Sequence, residues 1–171
     1  MKITRKSFGR DRRLSDDYRV SRLTKSLHFP DIDVWIALTW DGHVHHRRAA
    51  DWFGELDDDS RLFFCRFTQL GVLRLLTSEA AMGQDVMTQR AAWQAYDRWQ
   101  DDDRVGFLDE PVDLEARFRS MTRLKNPAPK DWTDSYLAAF AETSDLLLVT
   151  FDAALKSKTA RAVLLAESRK S

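Results

Sequence analysis

Short, continuously apolar segments alternate with longer amphipathic segments along most of this 171-residue chain. The short segments are typical of strands buried on both faces, and the longer ones, with apolar residues at every third or fourth position, are typical of helices. Parallel strands joined by crossover helices produce such an alternation. We therefore predict an α/β domain with a central parallel sheet covered by helices on both faces. The order of the strands does not follow from the pattern.

The same pattern predicts where the individual elements lie. Five strands are predicted, the last of them at an edge of the sheet: Phe29–Thr39, Leu62–Cys65, Val105–Leu108, Leu146–Thr150 and Ala162–Leu165. Five helices are predicted between them: His43–Leu56, Thr68–Thr77, Asp85–Trp99, Asp113–Leu124 and Asp131–Glu142. Thr68 is a candidate N-cap residue, because a hydroxyl at that position can accept a hydrogen bond from a free backbone N–H.

Charge divides the chain into two parts. The formal net charge is zero, yet residues 1–28 contain nine Lys and Arg against three Asp. A polar, basic segment with few large apolar side chains is typical of a flexible tail. We predict a basic, flexible N-terminal extension over residues 1–27 and one globular domain over residues 28–171. The extension could attract RNA electrostatically or could simply be a solvated tail.

The compartment is predicted from what the composition lacks. The single cysteine, Cys65, excludes an internal disulfide and fits a reducing environment. No apolar segment approaches the roughly 20 residues that a membrane span needs, and no apolar signal-peptide core follows the basic start. We expect a cytoplasmic protein without membrane contact.

Carboxylates interrupt or follow two of the predicted strands and begin a predicted helix. Asp31 interrupts the first predicted strand, Asp152 follows the fourth, and Asp134 lies in the first turn of the predicted helix Asp131–Glu142. Ligand sites of open parallel sheets gather at the carboxyl ends of the strands, so these three side chains could converge there. Clustered carboxylates favour a bound cation, and hard oxygen ligands select Mg²⁺ or Mn²⁺ over zinc.

Each of these acids also has a structural alternative. Asp131 and Asp134 have the spacing of a helix capping box, and Asp152 could cap a short helix after the fourth strand. If the chain bends after Asp31, Asp33 could point to solvent. The nearby His43, His45 and His46 could pack, cap a helix or be exposed, or they could contact RNA phosphates; no cysteine or third ligand supports a zinc site.

Five segments in sequence resemble the motifs of PIN-domain ribonucleases of the VapC type. Phe29–Leu38 resembles the opening of PIN domains, and four further segments resemble the motifs that follow in the same order: His43–Ala49, Thr68–Thr77, Thr133–Ala141 and Val149–Asp152. Each motif alone is weak, but five in the correct order over about residues 28–165 are a strong match. Asp33 stands where the family usually has Asn.

The resemblance implies site residues and a reaction. Asp31, Asp134 and Asp152 take the places of acids that hold Mg²⁺, with Mn²⁺ as an alternative. Gln69 stands where many PIN domains have Glu, so the catalytic site would lose one negative charge there. The implied activity is endonucleolytic RNA cleavage, with tRNA among the candidate substrates, in which metal polarises a phosphodiester oxygen and activates a water molecule.

The resemblance also implies partners. A VapC-type toxin of a type II toxin–antitoxin system is neutralised by a VapB-like antitoxin and is expected to form a homodimer. The alternative is a PIN-fold module that binds RNA or protein through a weakened or inactive metal site, and Gln69 is the feature that favours it.

Overall fold

The computed structural model describes residues 26–165, and its centre is a five-stranded sheet in which every pairing is parallel. The strands stand in the order β3-β2-β1-β4-β5. Their bounds are β1 Leu27–Pro30, β2 Arg61–Phe64, β3 Val105–Phe107, β4 Leu147–Thr150 and β5 Ala162–Leu164. The sequence therefore placed all five strands, including β5 at an edge.

Eight α-helices lie in the described part of the chain. They are α1 Ile32–Thr39, α2 His46–Gly54, α3 Arg66–Leu76, α4 Glu79–Met82, α5 Gln89–Gln100, α6 Leu114–Met121, α7 Pro129–Thr143 and α8 Ala153–Ser157. A short 3₁₀ turn, Gly83–Asp85, connects α4 to α5. No helix in this part of the chain is long and apolar enough to cross a bilayer.

Helices cover both faces of the sheet, as predicted. Successive side chains of a strand point to opposite faces, and β2 shows this directly. Leu62 and Phe64 are buried in a cluster with residues of α1, α3 and α5. Phe63 packs on the other side, against a cluster built from β1, β4, α6, α7 and α8. The sheet thus separates two apolar layers. Polar residues lie at the carboxyl ends of its strands.

The predicted first strand, Phe29–Thr39, is wrong in length. The strand ends at Pro30, Asp31 is an N-cap residue, and α1 occupies the remainder of the segment. Four consecutive residues of α1, Val34 to Ala37, are buried. A helix that is buried all round has no apolar stripe, so its sequence resembles that of a buried strand.

Several helix starts also differ from the prediction. Helix α7 begins at Pro129, two residues before Asp131, because proline fits the first turn of a helix. Helix α3 begins at Arg66, so Thr68 lies inside its first turn, where its Oγ1 accepts a hydrogen bond from the Cys65 N–H at 3.0 Å. Helix α5 begins after Thr88, whose side chain caps it.

The predicted N-terminal extension, residues 1–27, lies almost entirely outside the described residues. The described residues begin just before β1, where the Arg61 N–H donates to the Ser26 carbonyl oxygen at 2.9 Å. The division into an extension and a domain over residues 28–171 stays a prediction.

Candidate active site

Asp31 is a buried carboxylate at the carboxyl end of β1. Its Oδ1 accepts a hydrogen bond from the Val34 N–H at 2.8 Å, and its Oδ2 accepts one from Thr150 Oγ1 at 2.5 Å. Only 5% of the residue is exposed. Both donors are neutral, so burial dominates and raises the pKa of Asp31 to about 7. A cation at this carboxylate would offset the cost of burying its charge.

Thr150 joins the ends of the two central strands. Its Oγ1 donates to Asp31 and accepts a hydrogen bond from the Asp152 N–H at 2.9 Å. Next to it, the Asp31 N–H donates to the Val149 carbonyl oxygen at 2.9 Å. Thr150, which is fully buried, was not among the predicted site residues, although a hydroxyl residue that closes an apolar run is a signal for a candidate partner.

Asp152 has two roles because its two carboxylate oxygens face different groups. Oδ1 caps α8 by accepting hydrogen bonds from the Ala154 N–H at 2.7 Å and the Leu155 N–H at 3.3 Å. Oδ2 lies 4.0 Å from Lys130 Nζ at the start of α7. The structural alternative for Asp152 is therefore correct, but it leaves Oδ2 directed toward the helix that carries Asp134.

Asp134 lies in the second turn of α7 and is only partly exposed. Burial is the main cause that raises its pKa, and the charge of Asp152 raises it further, while Lys130 and Lys158 act in the opposite direction. Asp134 and Asp152 are thus close enough to interact electrostatically. The capping-box alternative is wrong for Asp134, because α7 begins five residues earlier at Pro129.

Asp131 belongs to a neighbouring ion pair. Lys158 Nζ donates to Asp131 Oδ1 and, at 3.1 Å, to Ser135 Oγ. Ser135 Oγ in turn donates to Asp131 Oδ2 at 3.1 Å. The Lys158 ammonium lowers the pKa of Asp131. This network fastens the first turns of α7 to the end of α8, which fixes the spacing of the elements that carry Asp134 and Asp152.

Gln69 is buried on α3, and two neighbouring side chains form hydrogen bonds with it. Arg66 donates from its guanidinium to Gln69 Oε1, and the Tyr96 hydroxyl is also hydrogen-bonded to the Gln69 side chain. The Arg66 guanidinium lies over the Phe107 ring, 4.9 Å from its centroid. Within residues 26–165, no hydrogen bond or ion pair joins Gln69 to Asp31, Asp134 or Asp152.

Two histidines, His43 and His45, contact residues that neighbour the predicted site acids. His43 Nε2 lies 3.3 Å from Asp33 Oδ1, and His45 stacks on Phe151, the residue before Asp152. His46 instead hydrogen-bonds the Ala37 carbonyl oxygen at 2.7 Å. Asp33 is half exposed, which agrees with the alternative that it points to solvent once the chain bends.

The oxygen donors at the carboxyl edge of the sheet fit a hard divalent cation. Asp31, Asp134 and Asp152 supply only carboxylate oxygens, the ligand type that Mg²⁺ and Mn²⁺ prefer. Among residues 26–165, no group of three or more His, Cys, Asp or Glu side chains is close enough to hold an ion as arranged. Repulsion between carboxylates favours such separation, and the charge of a cation would favour their approach.

Comparison with known proteins assigns the family. The family model for the PIN domain matches residues 29–160. Ribonuclease VapC41 of Mycobacterium tuberculosis is 44% identical over 128 residues, which are 72% of this chain and 88% of that protein. Ribonuclease VapC38 of the same species is 30% identical over 130 residues, covering 72% of this chain and 83% of the relative.

Solved structures agree on the fold. Mycobacterium tuberculosis VapC20, described as a sarcin-ricin-loop-cleaving toxin, superposes with a TM-score of 0.56 at 15% identity, over 77% of this chain and 94% of that one. VapBC2 from Rickettsia felis gives a TM-score of 0.58 at 10% identity, over 81% and 96%. With its parallel sheet, its acids at the strand ends and its similarity to these relatives, the chain belongs to the PIN-domain family, among the VapC-type ribonucleases.

Proposed function

We propose that the protein is an endoribonuclease dependent on Mg²⁺ or Mn²⁺ and the toxin component of a type II toxin–antitoxin system. The observation that carries the proposal is the Asp31 carboxylate, which is buried, accepts hydrogen bonds from the neutral Val34 N–H and Thr150 hydroxyl, and has a pKa raised to about 7. A folded protein keeps such a costly group where function needs it. Membership of the VapC-type ribonucleases supplies the reaction class.

Three residues would hold the cation. Asp31 and Asp134 would provide the main ligands, and Asp152 Oδ2 would complete the site or orient the attacking water. When bound, the ion supplies polarisation of the phosphodiester and activation of water for in-line attack on phosphorus. Thr150 fixes the orientation of Asp31 by its hydrogen bond at 2.5 Å, so the chain brings one ligand already positioned.

Lys130 is placed to contact substrate. Its side chain is 90% exposed and its Nζ lies 4.0 Å from Asp152 Oδ2. A cation bound at Asp31, Asp134 and Asp152, which we call the acid site, would weaken the contact between Lys130 and Asp152. The Lys130 ammonium would then be free to contact a phosphate of the RNA backbone. Lys158, by contrast, is held by Asp131 and Ser135 and serves to position α7.

The test is cleavage of RNA by purified full-length protein. Total RNA and tRNA would be incubated with the protein in Mg²⁺, in Mn²⁺ and in EDTA. The variants Asp31→Asn and Asp134→Asn should lose cleavage. Asparagine in place of Asp31 keeps an oxygen to accept from the Val34 N–H, so loss of activity would not reflect loss of the helix cap.

The matched control is Asp57→Asn, which removes the same charge from an exposed turn away from the site. Metal-dependent fragments that persist in this control and vanish in the two site variants would support the assignment. Equal cleavage by wild type and the site variants would mean a contaminating nuclease and would refute it.

The partners are part of the same proposal. A VapB-like antitoxin would bind the protein and suppress its activity, and the toxin would act as a homodimer. Co-expression with the antitoxin should relieve growth inhibition by the wild type. Light scattering on the isolated toxin should give twice the chain mass of 19.9 kDa, and a monomeric mass would contradict the dimer.

A second candidate function is favoured by Gln69. Its amide oxygen already accepts a hydrogen bond from Arg66, and the neutral side chain adds no negative charge to attract a metal. The protein would then be a PIN-fold module that binds RNA or protein with a weakened or inactive metal site. RNA binding in the absence of any metal-dependent cleavage would favour this candidate over the nuclease.

A further inference from the structure

Four aromatic rings form a continuous row beside the acid site, which we call the aromatic ledge: Trp40, His43, His45 and Phe151. The centroids of Trp40 and His43 are 6.2 Å apart, and those of His43 and His45 are 5.7 Å apart. His45 stacks on Phe151 with centroids 4.4 Å apart and an angle of 28° between the rings. All four residues are only partly buried.

Polar contacts hold the ledge in one arrangement. Trp40 Nε1 donates to Asp85 Oδ2 at 3.1 Å. His43 Nδ1 accepts a hydrogen bond from the His45 backbone N–H at 3.2 Å, which assigns the ring proton of neutral His43 to Nε2, facing Asp33. Because these contacts hold the Trp40 and His43 rings before any ligand arrives, binding to those two rings costs less conformational entropy.

The ledge is continuous with the acid site at two points. Phe151 lies between Thr150, which is bonded to Asp31, and Asp152. Asp33, the partner of His43, lies in the first turn of α1, only two residues after Asp31. A polymer held at the carboxylates must therefore pass over or beside these rings in one direction.

We propose that the aromatic ledge binds a base of single-stranded RNA next to the scissile phosphate, with His45 as the main stacking ring. Unpaired bases stack on aromatic and histidine side chains, and every base offers such a face, so the ledge would add affinity without strict sequence preference. Arg47, exposed on the next turn, adds a positive charge that suits the backbone of the same strand. This inference rests on the proposed ribonuclease function.

The test compares RNA with and without bases. Full-length protein carrying Asp134→Asn, to prevent cleavage, would be titrated in Mg²⁺ with a fluorescein-labelled 12-nucleotide adenosine RNA and with an abasic strand of the same length. The abasic strand measures the phosphate contribution alone. Stacking of one base contributes roughly 5- to 100-fold in affinity, so the adenosine strand should bind more tightly by about that factor.

Three further substitutions at two positions separate stacking from other roles. His45→Ala should remove most of the preference for the adenosine strand, and His45→Phe should restore it, because phenylalanine keeps the ring. Trp93→Ala removes an exposed ring from α5 and should leave the preference unchanged. Circular dichroism on each variant checks that α2, which begins next to His45, is intact.

Two results would overturn the proposal. One is a preference for the adenosine strand that survives His45→Ala. The other is a loss of this preference in His45→Phe together with its retention in His45→Gln, which would assign His45 to a phosphate or to a protein partner.

With Asp134 restored, His45→Ala should raise KM for RNA cleavage about 5-fold or more with kcat little changed. Absence of cleavage in the wild type would refute the ribonuclease proposal while leaving the stacking measurement able to stand.

Discussion

Helix α3 crosses α1 at Gly71, and a methyl group there should disturb the site. A Cβ atom on Gly71 would lie 2.4 Å from Ile32 Cδ1, 2.8 Å from Cγ1 and 3.2 Å from Cγ2. Ile32 is the first residue of α1 and directly follows Asp31. A β-branched side chain in a helix is confined to one main rotamer, so Ile32 cannot simply swing away. Gly71→Ala should therefore push the start of α1 outward.

The expected cost is the balance of two opposing effects. Overpacking a tight core costs about 1–3 kcal/mol, and contacts below 3 Å place this position near the upper end. Alanine recovers about 1 kcal/mol of helix propensity. The free energy of unfolding should fall by about 2 kcal/mol, which corresponds to a loss of roughly 4–8 °C in Tm for a chain of this size.

The control is Gly54→Ala, at the last position of α2, where an added Cβ would meet nothing within 4 Å. Denaturant unfolding followed by circular dichroism should show this variant unchanged or slightly stabilised. Ile32→Val removes the closest atom, so the double variant Gly71→Ala with Ile32→Val should lose at least about 1 kcal/mol less than the sum of the two single losses.

The strain should also reach the acid site, because Ile32 is bonded to Asp31. Metal affinity of Gly71→Ala, measured by calorimetric titration with Mn²⁺, should be weaker than that of Gly54→Ala. If Gly71→Ala and Gly54→Ala are equally stable, or if the double variant is strictly additive, the steric explanation for Gly71 is wrong.

Three other changes test single features of the molecule. Gln69→Glu should strengthen Mg²⁺ binding in a calorimetric titration; an unchanged titration would exclude Gln69 from the metal's surroundings. His28 has both ring nitrogens buried without a hydrogen-bond partner among the described residues, and burial lowers its pKa. Its unfolded form takes up a proton first as pH falls, so stability declines below about pH 6.5, and His28→Phe should make unfolding less dependent on pH between 7 and 5. A slope equal to that of wild type would contradict this. Finally, Asp31→Asn should leave the Tm of metal-free protein unchanged or higher, because removal of a buried charge offsets the loss of the acceptor for the Thr150 hydroxyl, and the cap is kept; a clear fall in Tm would show that the carboxylate and its hydrogen bond stabilise the fold.

The sequence was sufficient for the parallel α/β architecture, because the alternation of short apolar runs and amphipathic segments has few other solutions. It also located Asp152 after an apolar strand, whereas Asp31 was predicted inside the first strand and in the structure follows its end. It could not show that α1 is a helix. Val34 to Ala37 are buried on every side by the sheet and neighbouring helices, and complete burial removes the periodicity by which helices are recognised.

The tertiary structure alone decided which polar groups meet. Asp31 is hydrogen-bonded to Thr150, 119 residues away along the chain, and Lys158 to Asp131, 27 residues away. Such pairs depend on the strand order β3-β2-β1-β4-β5, which sets β1 beside β4. Local propensity and periodicity describe neighbours in sequence, whereas strand order depends on how whole apolar faces pack. The acids could therefore be named from the sequence, but the partners that orient them follow from the fold.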